Sequence, residues 1–250
     1  MLRGNEMAVA FNEKSRLFTI TTENSEYQLM ADEYGVLRHL WYGAKVGMSM
    51  DYLCVYPDVG FSGNIYEAEN RRTYSLDTLP LEYSCAGAGD YRINAVSAVH
   101  SNGSSALDLR YTGYKISDGK YSIKGLPAVY AENSEAQTLE IYLKDTASDI
   151  HVTLKYGILP ELDIITRSAV IENRGENSVY LTNAASLCLD LPGDYSEWIH
   201  FHGRHTMERV VERLPLAHGI QESSSRRGTS SHQQNPAVIL CEKDCAETHG

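Results

Sequence analysis

Apolar and polar residues alternate along much of this chain with a period of two. In TLEIYLKD, Leu139, Ile141 and Leu143 alternate with Glu140, Tyr142 and Lys144; in HVTLKYGIL, Val152, Leu154, Tyr156 and Ile158 repeat the pattern. Successive side chains of a strand point to opposite faces, so both runs predict strands with one buried and one wet face. Turn residues punctuate such runs. Asn102-Gly103 precedes ALDLRYTGYKI, Asp118-Gly119 separates that run from YSIKGLPAVY, and Asn173-Arg174-Gly175 divides ITRSAVIE from NSVYLTNAASLCLDL. Each is expected to be a hairpin connection in an antiparallel sheet.

Helical periodicity is scarce. In MERVVERLPL (207–216) the four-residue spacing of Glu208 with Glu212 and of Arg209 with Arg213 suits a short helix, whereas Val210-Val211 and Pro215 favour a strand. Both readings stand. Without α/β alternation, neither a doubly wound sheet nor a (β/α)8 barrel is encoded. Many strands at roughly 8–12-residue spacing predict an all-β fold, a large antiparallel β-sandwich of two sheets. No internal repeat is visible.

Composition alters this picture in a few places. With 250 residues, 42% of them hydrophobic, the chain has enough apolar surface for a substantial core. Acidic residues number 33 against 22 basic, a net charge of −11 with no basic block longer than a pair, which argues against a nucleic-acid partner. Cys54, Cys85, Cys188, Cys241 and Cys245 form no C-x-x-C pair and leave an odd one over, unlike a secreted disulfide framework. The N-terminal stretch lacks a signal-peptide pattern, and no apolar run approaches the ~18 residues of a membrane span. A cytoplasmic chain with no membrane association is expected. Seventeen tyrosines against four Phe and two Trp suit half-buried strand faces, and equally the walls of sugar sites.

Three stretches carry candidate chemistry. In HFHGRHTME, His200 and His202 share a strand face and are followed by His205 and Glu208, donors adequate for a metal and similar to the H-x-H plus glutamate of cupins. The spacing departs from that pattern: five residues separate His202 from Glu208 where cupins have three or four, so no metal is assigned. In SSSRRGTSSHQQNP (223–236), Ser230, Ser231 and His232 suggest a nucleophile and base, but neighbours on a strand face oppositely and no G-x-S-x-G elbow is present. The third is the long irregular span from Met48 to Arg92, which mixes Asp51, Asp58, Asp77, Glu82 and Asp90 with Arg71, Arg72 and many tyrosines. A loop of this length inside a sandwich is commonly functional, and its aromatics argue against disorder. Paired carboxylates for glycoside hydrolysis need a separation of ~5–9 Å, which spacing along a loop does not fix.

HLWYGAKV (39–46), RRTYSLDTLPLEYSCAGAGDYR (71–92), LDLRYTGYKISDGKYSIKGLPAVY (107–130), EAQTLEIYLKD (135–145) and SRRGTSSHQQNP (225–236) run in order across nearly the whole chain. Together they resemble the N-terminal domain of bacterial α-galactosidases of glycoside hydrolase family 36. The resemblance implies that residues 1–250 are an N-terminal β-supersandwich domain, which in the family packs on a (β/α)8 barrel, and carries the expectation of a sandwich truncated at its C-terminal end. That barrel carries the two aspartates of a retaining mechanism that removes terminal α-linked galactose from sugars such as melibiose and raffinose. No cofactor is implied, no catalytic residue is assigned within these 250 residues, and the chain alone is expected to be inactive. Its implied role is to support the barrel, the homo-oligomer (a tetramer in the parent) and the sugar site.

In tetrameric members a loop of this domain reaches a neighbouring subunit's active site, and the matching loop is the 48–92 span. Asp51 and Arg72 are the residues it puts forward as sugar contacts, a carboxylate accepting hydroxyl hydrogen bonds and a guanidinium donating them; an intradomain salt bridge is the competing role for each. The chain departs from the family at His205, where tryptophan is more usual, and matches loosely over 52–66. The resemblance also places SRRGTSSHQQNP in the sandwich, with Gly228 supplying a special backbone angle and the hydroxyls serving turn amides. A stand-alone carbohydrate-binding sandwich module without catalysis is the alternative reading.

Overall fold

The computed structural model describes residues 8–55, 57–58, 64–87, 89–191, 195–228 and 231–246. The strands are β1 (Val9–Asn12), β2 (Leu17–Thr21), β3 (Ser25–Ala31), β4 (Leu37–Ala44), β5 (Val96–His100), β6 (Leu109–Asp118), β7 (Gln137–Asp145), β8 (Ile150–Leu159), β9 (Ile164–Asn173), β10 (Val179–Ala184), β11 (Glu197–Arg204), β12 (Met207–Pro215) and β13 (Gln234–Cys241). Among the described residues the only helical pieces are three short 3-10 turns. The chain divides into two compact units, Met1–Leu191 and Pro192–Gly250.

The first unit is a sandwich. Its two principal sheets are antiparallel meanders, β1-β2-β3-β4 and β6-β7-β8-β9, and β5 pairs with β10 in a separate ribbon. The alternation read from the sequence decides which residues enter: Leu139, Ile141 and Leu143 of β7 and Val152, Leu154, Tyr156 and Ile158 of β8 are buried. They share one core with Phe18 and Ile20 of β2, Leu29 of β3 and Val96 and Ala98 of β5. Removing a side chain of this size from water contributes about 1.5–3 kcal/mol. The turn before β9 ties the sheets at one end, because Asp163 accepts hydrogen bonds from the hydroxyls of Thr22 and Ser25 and from Asn24 Nδ2.

The three expected hairpins need correction. Asn102-Gly103 does form a tight turn, with Gly103 at φ 84°, but β5 pairs with β10 and β6 with β7, so this turn passes the chain between sheets. Asn173-Arg174-Gly175 likewise joins β9 to β10 across sheets, its Asn173 Oδ1 accepting the Gly175 N–H at 3.1 Å. Turn residues fix a local backbone reversal and leave open which strand edge the chain pairs with next. After Asp118-Gly119 the chain does return to pair β6 with β7, but YSIKGLPAVY between them is not a strand. Gly125 at φ 77° and Pro127 break its alternation.

The second unit is a three-stranded antiparallel sheet in the order β12-β11-β13. MERVVERLP is a strand, β12, paired with β11 from Pro215 opposite Glu197 to Met207 opposite Arg204. Residues four apart also share a strand face, so its charge spacing was compatible with both readings, and the β-branched Val210-Val211 pair agrees with the one adopted.

Candidate functional site

The 48–92 segment is irregular in backbone yet held at many points. Where it leaves β4, the Gln28 amide on β3 receives the Met50 N–H at 2.9 Å and donates to the Met48 carbonyl at 2.7 Å. Asp51 then opens a 3-10 turn, Asp51–Cys54, with its carboxylate exposed. A second 3-10 turn, Tyr66–Ala68, buries Ala68 and Ile65 in a small cluster with Val36, Tyr74, Leu76, Leu79 and Leu81. Tyr66 itself stands 95% exposed. Below it, Asp32 receives the Tyr74 hydroxyl at 2.8 Å and Arg38 Nε at 3.0 Å, and the buried Arg38 guanidinium stacks 4.9 Å from the Tyr74 ring.

Toward its end the segment is secured by Arg92, which bonds Asp90 and Asp190 at 2.9 Å each and the carbonyls of Leu76 and Leu79 at 3.1 Å each. Half-burial alone would lower the Arg92 pKa, but the two carboxylates outweigh it and hold the guanidinium above its usual value. Arg72 pairs with Asp58, Nη2 to Oδ1 at 2.8 Å, both side chains about half exposed. The competing salt-bridge role considered for Arg72 is therefore occupied in this state. Asp51 and Arg72 thus lie on exposed parts of the described segment.

Glu82, one of the acids in this span, faces inward. It is fully buried and accepts the hydroxyls of Tyr27 (2.8 and 2.7 Å) and Tyr156 (2.6 Å), with Arg167 and His39 Nδ1 (3.1 Å) completing the set. Burial pushes its carboxyl up, yet Arg167 and His39 more than offset this and hold it below its usual value of 4.5. A carboxylate whose pKa is depressed on folding stabilises the fold at every pH above its unfolded value, and that stability is lost as pH falls through the folded one. Asp149, Asp163 and Glu140 shift in the same direction. Urea midpoints are therefore expected to change little from neutrality down to the usual carboxylate range and to fall steadily below about pH 4.5. A midpoint that rises on acidification would contradict the assignment. None of these partners was legible in the sequence: Tyr156 and Arg167 lie 74 and 85 residues from Glu82.

His200 and His202 do share a face of β11, but the carboxylate they meet is Glu212 across the sheet, at 3.0 and 3.6 Å, and not Glu208. Register explains it, since His200 is directly opposite Glu212, whereas Glu208 turns back to accept the Thr206 N–H at 2.9 Å. Both imidazole Nε2 atoms lie nearest the same Glu212 carboxylate oxygen. Among the described residues no group of three histidine, cysteine or acidic side chains is arranged to hold a metal ion.

SSSRRGTSSHQQNP borders a cleft of about 380 Å³ lined by Ser223–Ser225, Gly228 and Gln234–Pro236. Gly228 has φ 72°, and the hydroxyls of Ser225 and Ser231 accept the N–H groups of Arg227 and Gln233 at 3.3 Å each. Ser231 closes a tight turn with Gln234, and His232 is exposed; Ser230 lies outside the described residues. In the described part of the stretch, the Ser225 and Ser231 hydroxyls serve backbone N–H groups and the Ser223 hydroxyl accepts the Gln234 amide at 3.0 Å.

Fold and segment are matched by known proteins. The model of the glycosyl hydrolase family 36 N-terminal domain matches residues 35–250. The chain belongs to this family. Family 36 relatives include the bifunctional alpha-galactosidase/sucrose kinase AgaSK of Mediterraneibacter gnavus, 49% identical over 98% of this chain and 26% of its own length. Alpha-galactosidase AgaA of Geobacillus stearothermophilus is 39% identical over 98% of this chain and 34% of its own. Among solved family 36 structures, the galactosidase domain of AgaSK superposes with a TM-score of 0.90 at 48% identity, covering 95% of this chain and 33% of that one. A form of AgaA in complex with raffinose gives a TM-score of 0.85 at 38% identity, covering 91% and 32%. The chain thus spans about a quarter to a third of the length of the relatives it matches, and corresponds to the non-catalytic N-terminal domain of the family 36 enzymes.

Proposed function

We propose that this sandwich serves an α-galactosidase acting on raffinose-type sugars, supporting a catalytic barrel and the assembly of a homo-oligomer, and presenting the 48–92 segment to a sugar site. The observation that carries the reading is the combination of anchored stretches of the described segment with an exposed polar and aromatic surface. Gln28 holds its backbone at Met48 and Met50, Arg92 holds it at Leu76 and Leu79, and Asp32 holds the Tyr74 hydroxyl, while Asp51, Tyr66 and Arg72 stand outward. Sugar recognition favours such a surface, because hydroxyls need both acceptors and donors and pyranose rings present apolar faces to aromatics. Asp51 supplies the acceptor and Arg72 the donor, which would exchange Asp58 for a substrate hydroxyl.

In an enzyme containing this chain, Arg72→Ala is expected to raise KM for raffinose about tenfold or more, the worth of one charged hydrogen bond, with kcat nearly unchanged. An unaltered KM would remove Arg72 from the sugar site. The 250-residue chain alone is expected to hydrolyse no aryl α-galactoside and to give no binding heat with raffinose, since it holds one wall of a site. Measurable heat without hydrolysis would instead identify a stand-alone carbohydrate-binding module.

A further inference from the structure

The turn between β3 and β4 is built around one carboxylate. Asp32 Oδ1 accepts the N–H groups of Tyr34 at 3.0 Å and Val36 at 2.9 Å, an Asx-type arrangement that fixes Asp32 itself. The facing sheet ties this turn down, because Arg110 of β6 donates to the Tyr34 carbonyl at 2.7 Å and the Tyr111 N–H to the Gly35 carbonyl at 2.8 Å. A second turn packs against it. The Tyr74 N–H donates to the Arg71 carbonyl at 3.3 Å, so Arg72 and Thr73 are its two central residues. The first turn holds both ends of the second. Tyr74 donates its hydroxyl to Asp32 Oδ2 at 2.8 Å and meets the Tyr34 ring edge-on, with centroids 4.8 Å apart. Arg71 pairs with Glu33 and reaches the Tyr34 hydroxyl at 3.4 Å, and Asn64 Nδ2 donates to the Arg71 carbonyl at 2.6 Å. Three consecutive residues, Asp32, Glu33 and Tyr34, thus grip the positions that flank Arg72.

We infer that Asp32 and Tyr74 are positioning residues for sugar binding, which hold the turn carrying Arg72 so that its guanidinium is presented in one orientation. The inference rests on Arg72 as a sugar contact. A long side chain gives up rotamer freedom when it binds, and a mobile backbone beneath it would add to that cost; a backbone fixed in advance spares the addition. The Asp32–Tyr74 contact suits this task because it is nearly out of water: Tyr74 is buried, and Arg38 Nε donates to the same Asp32 oxygen at 3.0 Å. Burial, with the Asp32 carboxylate beside it, raises the Tyr74 pKa above its usual value despite Arg38, so the hydroxyl remains a donor across the neutral range. Neither residue is assigned a contact with the substrate. Loosening their hold weakens the bound ground state and transition state alike, an effect that appears in KM and leaves kcat in place.

Tyr74→Phe provides the test, because it deletes the hydroxyl and keeps the buried ring. In an enzyme containing this chain it is expected to raise KM for raffinose about threefold or more, with kcat nearly unchanged. Added to Arg72→Ala it should raise KM no further, since the residue it positions has gone. Tyr142→Phe, which removes a hydroxyl–carboxylate bond to Glu140 on β7 at 3.0 Å, is the control and should leave both constants unchanged. An unaltered KM in Tyr74→Phe where Arg72→Ala raises it would overturn the inference and leave Arg72 as a sugar contact. Equal effects of Tyr74→Phe with and without Arg72, or a matching loss of kcat in Tyr74→Phe and Tyr142→Phe, would also overturn it and mark the contact as structural only. An unaltered KM in Arg72→Ala would remove the sugar contact itself, and this inference with it.

Discussion

Replacing Arg167 by methionine is expected to destabilise the fold by about 3–5 kcal/mol, the cost of leaving a buried charge without its partner. Glu82 would keep two tyrosine hydroxyls and His39, but no permanent cation. The Arg167 guanidinium also lies 4.0 Å from the Tyr156 ring centroid, and that stacking would go with it. The measurement is the urea midpoint of the variant at neutral pH. Adding Glu82→Gln to Arg167→Met should recover much of the loss, because the charge that needed compensation has gone. If the single variant stays within ~0.5 kcal/mol of the parent, the network contributes nothing beyond packing.

Phe18→Ala is the second large effect, an expected loss of about 3–5 kcal/mol measured in the same way. Phe18 is fully buried on β2, with ring centroids 4.4 Å from Phe11, 5.1 Å from Tyr114 and 6.2 Å from Tyr111. Two of these neighbours belong to β6 in the facing sheet, so removing the ring opens a cavity at the contact between layers. Tyr66→Ala, at the exposed tip of the 48–92 segment, serves as the comparison and should fall within about 0.5 kcal/mol of the parent. A loss below ~1 kcal/mol at Phe18 would mean that the two sheets close over the gap.

What could be read from the sequence follows from how far each determinant reaches. Alternation is local, and it placed Leu139, Ile141, Leu143 and the β8 residues inside correctly. Turn residues are local too, and they marked Asn102-Gly103 and Asn173-Arg174-Gly175 as reversals while saying nothing of the partner strand. Cross-strand register is not local, so the meeting of His200 and His202 with Glu212 could not be read from their spacing. The same limit hid the most buried charge of the first unit. Glu82 read as one loop acid among several, and its environment is supplied by β3, β4, β8 and β9. For the residues proposed as sugar contacts, family likeness singled out Asp51 and Arg72, and geometry added Asp58 as the group that holds Arg72.

Both principal sheets pair strands in strict chain order, and this has a kinetic meaning. Apart from the 119–136 connection between β6 and β7, each meander joins neighbouring strands over short loops, an arrangement of low contact order within each sheet. The contacts that close the sandwich, Tyr27 and Tyr156 on Glu82 and Phe18 on the β6 tyrosines, span long sequence separations and come afterwards. On this view two half-built layers precede the finished unit, and docking them, with burial of the carboxylate and its guanidinium together, is expected to be the slow step of folding.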